Sequence, residues 1–339
     1  MQFFRRSFSI FLFLSSIYAY SSEYKWQSSE FVWNYGIAQI ADFGLPKNPN
    51  QYFLREEMFV NRNLSKIKKS KIVWMKPNNL RLFCSFIKIK KIDPIILIIS
   101  GMDYSFPLEC NLRHEDIEFL LNSSSIIHIF AQNCTIIHDK VSQIPIGVDY
   151  HTLAYKNHVN QIDGNRICKQ EINFRKIIEN SEKNKNKKLR IFVDFHLNDS
   201  IEHGSQKRSR ELGENRKDIF ETIKATGLVD YTSSKIAREE LWKIKSQYQF
   251  SVSPHGNGLD CHRTWEDLLL GCIVIVKKSP LDGLYKDLPV VIVTNWDEIT
   301  QENLLLWKQE FDPILHDGTY KKKLCNHYWI EKILDKKRK

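Results

Sequence analysis

Several things are missing from this 339-residue chain, and each absence removes a class of protein. No pair of cysteines stands in C-x-x-C spacing, so the seven cysteines at 84, 110, 134, 168, 261, 272 and 325 do not read as a zinc site. No apolar run reaches the roughly 20 residues that a comfortable membrane-spanning helix requires; Ile92–Ser100 is short and broken by Asp93-Pro94. No repeat recurs at solenoid periods. Composition shows no bias toward disorder, collagen or coiled coil: 42% hydrophobic and 27% charged residues is ordinary globular usage, and this length favours two domains. Twenty Phe, thirteen Tyr and eight Trp supply enough apolar bulk to fill two cores.

What is abundant is positive charge, 50 Lys+Arg against 40 Asp+Glu for a net +10. Such a balance admits nucleic acid, an anionic membrane or an anionic small substrate, and the location of the charge separates them. Much of it lies in runs at Lys66–Lys71, Lys88–Lys91, Lys183–Arg190, Lys321–Lys323 and Lys336–Lys339. Neither a nucleic-acid motif nor aromatic interleaving accompanies these runs, which reads as solvated surface and argues against nucleic acid as a partner.

Arg5-Arg6 leads into a short apolar stretch from Ser7 to Tyr20. A positive n-region joined to a short h-region is the form of a secretory signal, with cleavage near Ala19 or Ser22. Ile17 is a poor small residue three before a cut at Ala19, so a type II signal anchor stays open. The expected location is the secretory pathway, in the ER or Golgi lumen or outside the cell. Sequons at Asn63, Asn122, Asn133 and Asn198 permit N-glycosylation, and the odd cysteine count leaves at least one thiol without an intrachain partner.

Continuous apolar runs at Lys71–Met75, Ile95–Ile99 and Ser125–Ala131, with a helix over His114–Leu121, predict a parallel sheet covered on both faces. Ile144–Leu153 adds a short strand and a turn. Alternation restarts after a polar, lysine-rich stretch: strands at Leu189–Asp194, Phe250–Ser253, Ile273–Val276 and Val290–Val293, helices at Arg216–Thr226, Ile236–Gln247 and Cys261–Leu270. The expected organisation is a signal or anchor over 1–22, an acceptor-side Rossmann-like domain over 23–160 and a linker over 161–188. A second Rossmann-like domain then covers 189–325, with a basic tail or helix over 326–339. Two such units facing a cleft would hold a ligand between them.

The most informative stretch is Ser253-Pro-His-Gly-Asn-Gly-Leu-Asp-Cys-His-Arg-Thr-Trp-Glu, followed by Gly271-Cys-Ile-Val-Ile. A strand enters a loop containing Gly256-Asn257-Gly258, and the loop enters a helix with Asp260 as its expected cap. Glycines let backbone approach a ligand, and the free N–H groups of a helix start favour a phosphate. Arg263 and Glu266, three apart, are expected on one face, where they meet either phosphate and ribose or simply each other as a surface ion pair.

This string resembles the C-terminal signature of exostosin-like glycosyltransferases: Ser-Pro, a Gly-x-Gly loop, an Arg three before a Glu, then a Gly-Cys-Ile strand. Val274 stands where that family usually has Pro. The resemblance is sharp over about 25 residues. It implies an α/β fold of the GT-B kind, with the nucleotide-sugar held mainly by the C-terminal domain. His255, Gly256, Asn257, Gly258, Asp260, Arg263 and Glu266 would form the donor site, with Glu266 on the ribose and Arg263 on the leaving diphosphate. No D-x-D triplet occurs, so the metal-clasping aspartates of GT-A enzymes are missing and no metal or other cofactor is expected.

Glycosyl transfer also needs a base or a facing stabiliser. Asp103, Asp149, His151 and His196 each follow a predicted strand end and are the candidates; Arg208, Arg210 and Arg216 could add phosphate contacts. The expected function is therefore transfer of a sugar from a nucleotide-sugar to a glycan or glycoprotein hydroxyl. The alternatives are a non-catalytic nucleotide-sugar or glycan-binding protein of the same fold, and a basic nucleic-acid binder.

Overall fold

Strands made of uninterrupted Ile and Val have no polar face to give to water, so each must be covered on both sides. A computed structural model describes residues 29–44, 67, 70–90, 92–156, 159–162, 164–183, 186–197, 215–234 and 236–338. The signal-like segment, Arg208, Arg210 and the sequons at Asn63 and Asn198 lie outside these residues.

Helix α1 (Asn34–Ala38) precedes β1 (Ile72–Met75), α2 (Leu80–Ile89), β2 (Ile95–Ile99), α3 (His114–Asn122), β3 (Ile126–Ala131) and β4 (Val141–Gln143). The four strands form one parallel sheet in the order β1-β2-β3-β4. The period-2 alternation splits the core: Ile95, Leu97 and Ile99 pack with Phe83, Cys84 and Leu120, whereas Ile96 and Ile98 face Trp33, Trp74 and Phe130. The sequence reading missed α2, although Leu80, Phe83, Cys84 and Ile87, all buried, stand at i, i+3, i+4 and i+7.

A short helix α4 (His151–Ala154) and the antiparallel pair β5 (Tyr155–Lys156) and β6 (Val159–Ile162) lead into α5 (Gly164–Lys183). This 20-residue helix fills most of the stretch expected as a linker. It is well packed: Phe174 stacks on Trp242 at 4.1 Å, and Glu171 accepts a hydrogen bond from the Tyr150 hydroxyl at 2.9 Å.

The second half runs β7 (Lys188–Val193), α6 (Arg216–Ala225), β8 (Val229–Tyr231), α7 (Arg238–Lys245), β9 (Tyr248–Val252), α8 (His262–Leu269), β10 (Ile273–Lys277), β11 (Val290–Val293), α9 (Gln301–Asp317) and α10 (Asn326–Arg338). All five strands are parallel, in the order β11-β10-β9-β7-β8. The expected basic tail is α10, which crosses back to the first half and packs against α1, β2 and β3. Its Trp329 and Ile333 are buried there, and Asn326 accepts from the Trp33 N–H at 3.1 Å.

The α/β class and the two parallel sheets expected from the sequence are present. The two halves also share one apolar cluster, in which Trp33, Ile98 and Tyr150 meet Phe174, Trp242 and Trp265. The short strand expected within Ile144–Leu153 is displaced: β4 ends at Gln143, and Gly147 (φ +69°) makes only an isolated bridge to Trp33. No disulfide joins the described cysteines, and no described helix is long and apolar enough to cross a membrane. Asn122 is exposed, but the Asn133 sequon is not open to glycosylation in the folded chain, since that residue is fully buried.

Candidate functional site

Strand order reverses at β7. Strand β8 is added on one side of it, and β9 returns to the other side, which opens a crevice beyond the carboxyl ends of β7 and β9. Ligands of open α/β sheets bind at such a reversal. The two loops leaving these strands are Asp194-Phe195-His196 and Ser253–Gly258, so the motif stretch begins in this crevice.

Arg216, the first residue of α6, ties the two loops together. Its Nε donates to the His255 carbonyl at 3.0 Å and its Nη1 to the His196 carbonyl at 3.5 Å. His255 is buried, with Nδ1 at 3.0 Å from the Leu259 carbonyl; because a carbonyl only accepts, Nδ1 carries the proton. Its Nε2 is a buried acceptor with no partner among the described residues. Asn257 is exposed at the loop tip. Gly258 is where the loop meets the first half: a Cβ there would lie 2.7 Å from Asn133 Nδ2 and 2.8 Å from the Asp103 carbonyl. The glycine thus admits the facing domain's own backbone.

Asp260 does not cap α8. The N-cap is Cys261, without a side-chain cap bond. Asp260 instead accepts from the Ile146 N–H at 2.8 Å and from Trp265 Nε1 at 2.9 Å, while its own N–H donates to Asn133 Oδ1 at 2.8 Å. It bolts the two halves together, and burial pushes its pKa up to about 6.

Arg263 and Glu266 do not meet each other; they head stripes one residue apart around α8. His262 and Glu266 face the first half, whereas Arg263 turns to Asp194 just after β7 and Asp267 to Lys245 at the end of α7. The second stripe ends in a buried ionic chain. Arg263 Nε lies 2.7 Å from Asp194 Oδ1, Asp194 Oδ2 lies 2.7 Å from Lys245 Nζ, and Lys245 also pairs with Asp267. Burial raises the Asp267 pKa, with repulsion from Asp194 adding to it and Lys245 opposing it. Burial pushes Asp194 the same way, but Lys245 and Arg263 together hold its carboxyl below the ordinary range. Arg263 Nη1 reaches Ser253 Oγ, at 3.5 Å, at the start of the glycine loop.

Along the first stripe, Glu266 accepts from Trp242 Nε1 at 2.9 Å and from the Asp149 N–H at 3.3 Å. Asp149 Oδ2 takes Arg238 Nη2 at 2.6 Å, and Oδ1 lies 3.1 Å from His151 Nδ1. The His151 ring sits 5.3 Å from that of His262, whose Nδ1 donates to the Gly147 carbonyl at 2.6 Å. Burial would raise the Asp149 pKa, yet His262, His151 and Arg238 hold it well below the usual carboxylate range. Burial lowers His151 to about 4 against the pull of Asp149.

Of the four base candidates, Asp149 and His151 come together beside Glu266, and Asp103 is close enough for its charge to act on His151. His196 is exposed in the loop after β7, where its carbonyl accepts from Arg216. Sequence reasoning did not find Asn133, Arg238, Trp242, Lys245 or Asp267 as site-forming residues. The sequence marked Asn133 only as a sequon; its place two residues after a predicted strand end is the signal that bears on the site.

No family model matches the chain, and no curated protein matches it. Among solved structures it is similar to Anabaena HepE in complex with UDP, at 10% identity over 85% of this chain and 84% of that one, with a TM-score of 0.44. It is also similar to HepE in complex with UDP-glucose, at 10% identity over 85% of this chain and 84% of that one, TM-score 0.42. A third is a UDP-forming α,α-trehalose-phosphate synthase from Burkholderia xenovorans, at 11% identity over 84% of this chain and 77% of that one, TM-score 0.40. Similarity this loose leaves the chemistry to be read from the chain's own side chains.

Proposed function

We propose that the chain is a nucleotide-sugar-dependent glycosyltransferase of the exostosin-like type, passing a sugar to a hydroxyl of a glycan or glycoprotein. The observation that carries this reading is the placement of Ser253–Glu266. The stretch starts at the strand-order reversal, runs into the N-terminus of α8, and packs against Asn133 and the Asp103 backbone, with the Asp149–His151 pair beside Glu266.

In this reading the nucleoside diphosphate lies along the Gly256–Gly258 loop, where the free N–H groups at the start of α8 meet its oxygens. Arg263, held by Asp194, offsets the charge that develops on the leaving diphosphate. With no D-x-D pair to clasp a cation, this task falls to the helix and the arginines. Glu266 uses two of its roughly four lone-pair sites on Trp242 and Asp149, and the others accept from the ribose hydroxyls. His151, oriented by Asp149, takes the acceptor proton as the new C–O bond forms. The Arg5-Arg6-led apolar segment supports a lumenal setting, with a single N-terminal anchor if the segment is retained.

Incubation of the purified protein with UDP-, GDP- and CMP-sugars tests the reading. Donor hydrolysis or transfer that Glu266→Ala abolishes in a folded variant is the expected result. Binding without turnover would favour the non-catalytic nucleotide-sugar-binding protein, and neither binding nor turnover would defeat both.

A further inference from the structure

The stripe of α8 that faces the first half brings together more ligand chemistry than sugar transfer uses. Asp149, His151 and His262 each offer one ligand atom, and these atoms lie within 4.8 Å of one another. Two imidazoles and a carboxylate are the donors of zinc and similar divalent transition ions; Mg²⁺ and Ca²⁺ prefer oxygen throughout.

The outer bonds are those that orient metal ligands. His262 gives its Nδ1 proton to the Gly147 carbonyl at 2.6 Å, which leaves Nε2 with its lone pair. Asp149 anchors Oδ2 on Arg238 at 2.6 Å, which presents Oδ1 on the side of His151, 3.1 Å from its Nδ1. That separation matches adjacent ligand atoms around an ion with bonds of about 2.0–2.2 Å.

We propose that Asp149, His151 and His262 bind one divalent transition metal ion of the zinc type. The ion would join the segment after β4 to α8 and so pin the first half to the second. It is a different site from a diphosphate clasp, which would use carboxylates alone; with Nδ1 on the ion, Nε2 of His151 keeps its proton, so an occupied site and the base role of His151 exclude one another. The Arg238 guanidinium opposes the incoming charge, so affinity falls short of that of a structural zinc site with thiolate ligands.

The probe is Co²⁺, titrated into the chelator-treated full chain and followed by its visible d–d absorption. One ion per chain is expected, with intensity typical of fewer than six ligands, displaced by Zn²⁺ and unaffected by Mg²⁺. His151→Gln and His262→Gln should each weaken binding by about tenfold or more. Far-UV circular dichroism establishes which variants fold, and either one decides alone if the other does not. Three results would each overturn the proposal: absence of the absorption, a thiolate-to-cobalt charge-transfer band, or unchanged affinity in the folded variants. Donor turnover is scored separately, so failure of one assay leaves the other conclusion standing.

Discussion

Lys245→Met tests whether the Arg263–Asp194–Lys245–Asp267 chain is a balanced unit. Lys245 is 1% exposed and Asp267 0%, and the four groups carry two positive and two negative charges. At 2.7 Å and an effective dielectric near 20, the Lys245–Asp194 attraction alone is on the order of 6 kcal/mol. Part of that is offset because the lost ammonium no longer has to be dehydrated. What remains is a buried Asp267 without its cation, and the expected destabilisation is about 3–5 kcal/mol.

Adding Asp267→Asn removes the orphaned charge, so the double variant should recover to within about 1–2 kcal/mol of the wild type. The pH dependence follows from the sign of the shift. An orphaned Asp267 has a folded pKa raised above its unfolded value, so its penalty is full above the folded pKa and shrinks as acid protonates it. Urea denaturation followed by tryptophan fluorescence at pH 5 and pH 8 measures all of this. A loss below about 1 kcal/mol, or a double variant as unstable as the sum of the singles, would refute the balanced-unit argument.

Trp265→Ala should cost about 3–5 kcal/mol in urea unfolding, because the ring is fully buried and its Nε1 is the donor to Asp260. Gly258→Ala should push the glycine loop off Asn133 and the Asp103 backbone, a strain of about 1–3 kcal/mol; isothermal titration with UDP should show weaker binding. His128 is buried against Ser142, and burial lowers its pKa to about 4, with Lys336 and Lys140 adding to the effect. Its folded pKa lies below the unfolded 6.5, so the unfolded chain binds the extra proton and stability falls as pH drops from 6.5 toward 4, by about 2–3 kcal/mol. His128→Leu should flatten that limb of the stability curve; an unchanged acid limb would assign it to other groups.

The strands were legible because their cause is local. Continuous Ile and Val at Ile95–Ile99 and Ile273–Val276 leave no solvated face, so a parallel sheet was the outcome before any contact was known. The glycine loop and the helix after it were equally readable, since turn chemistry and helical period act within about four residues. The helix α5 was not: Asn173–Lys188 is dominated by polar residues, and the helix is held by Phe174 and Glu171 reaching Trp242 and Tyr150.

The side-chain partners inside the site depended on the tertiary structure. Spacing alone put Arg263 with Glu266, yet Arg263 meets Asp194 and Glu266 meets Trp242. Asp149 meets Glu266 across 117 residues of sequence and Arg238 across 89. A buried charge pairs with whatever opposite charge or donor the packed sheets bring within about 3 Å, because leaving it alone costs several kcal/mol. No periodicity within one element encodes that choice. The sequence by itself therefore determined the two parallel sheets and the loop that enters α8. The tertiary structure decided that this loop is clamped by Asn133, that Asp260 bridges the halves, and that Asp149, His151 and His262 converge.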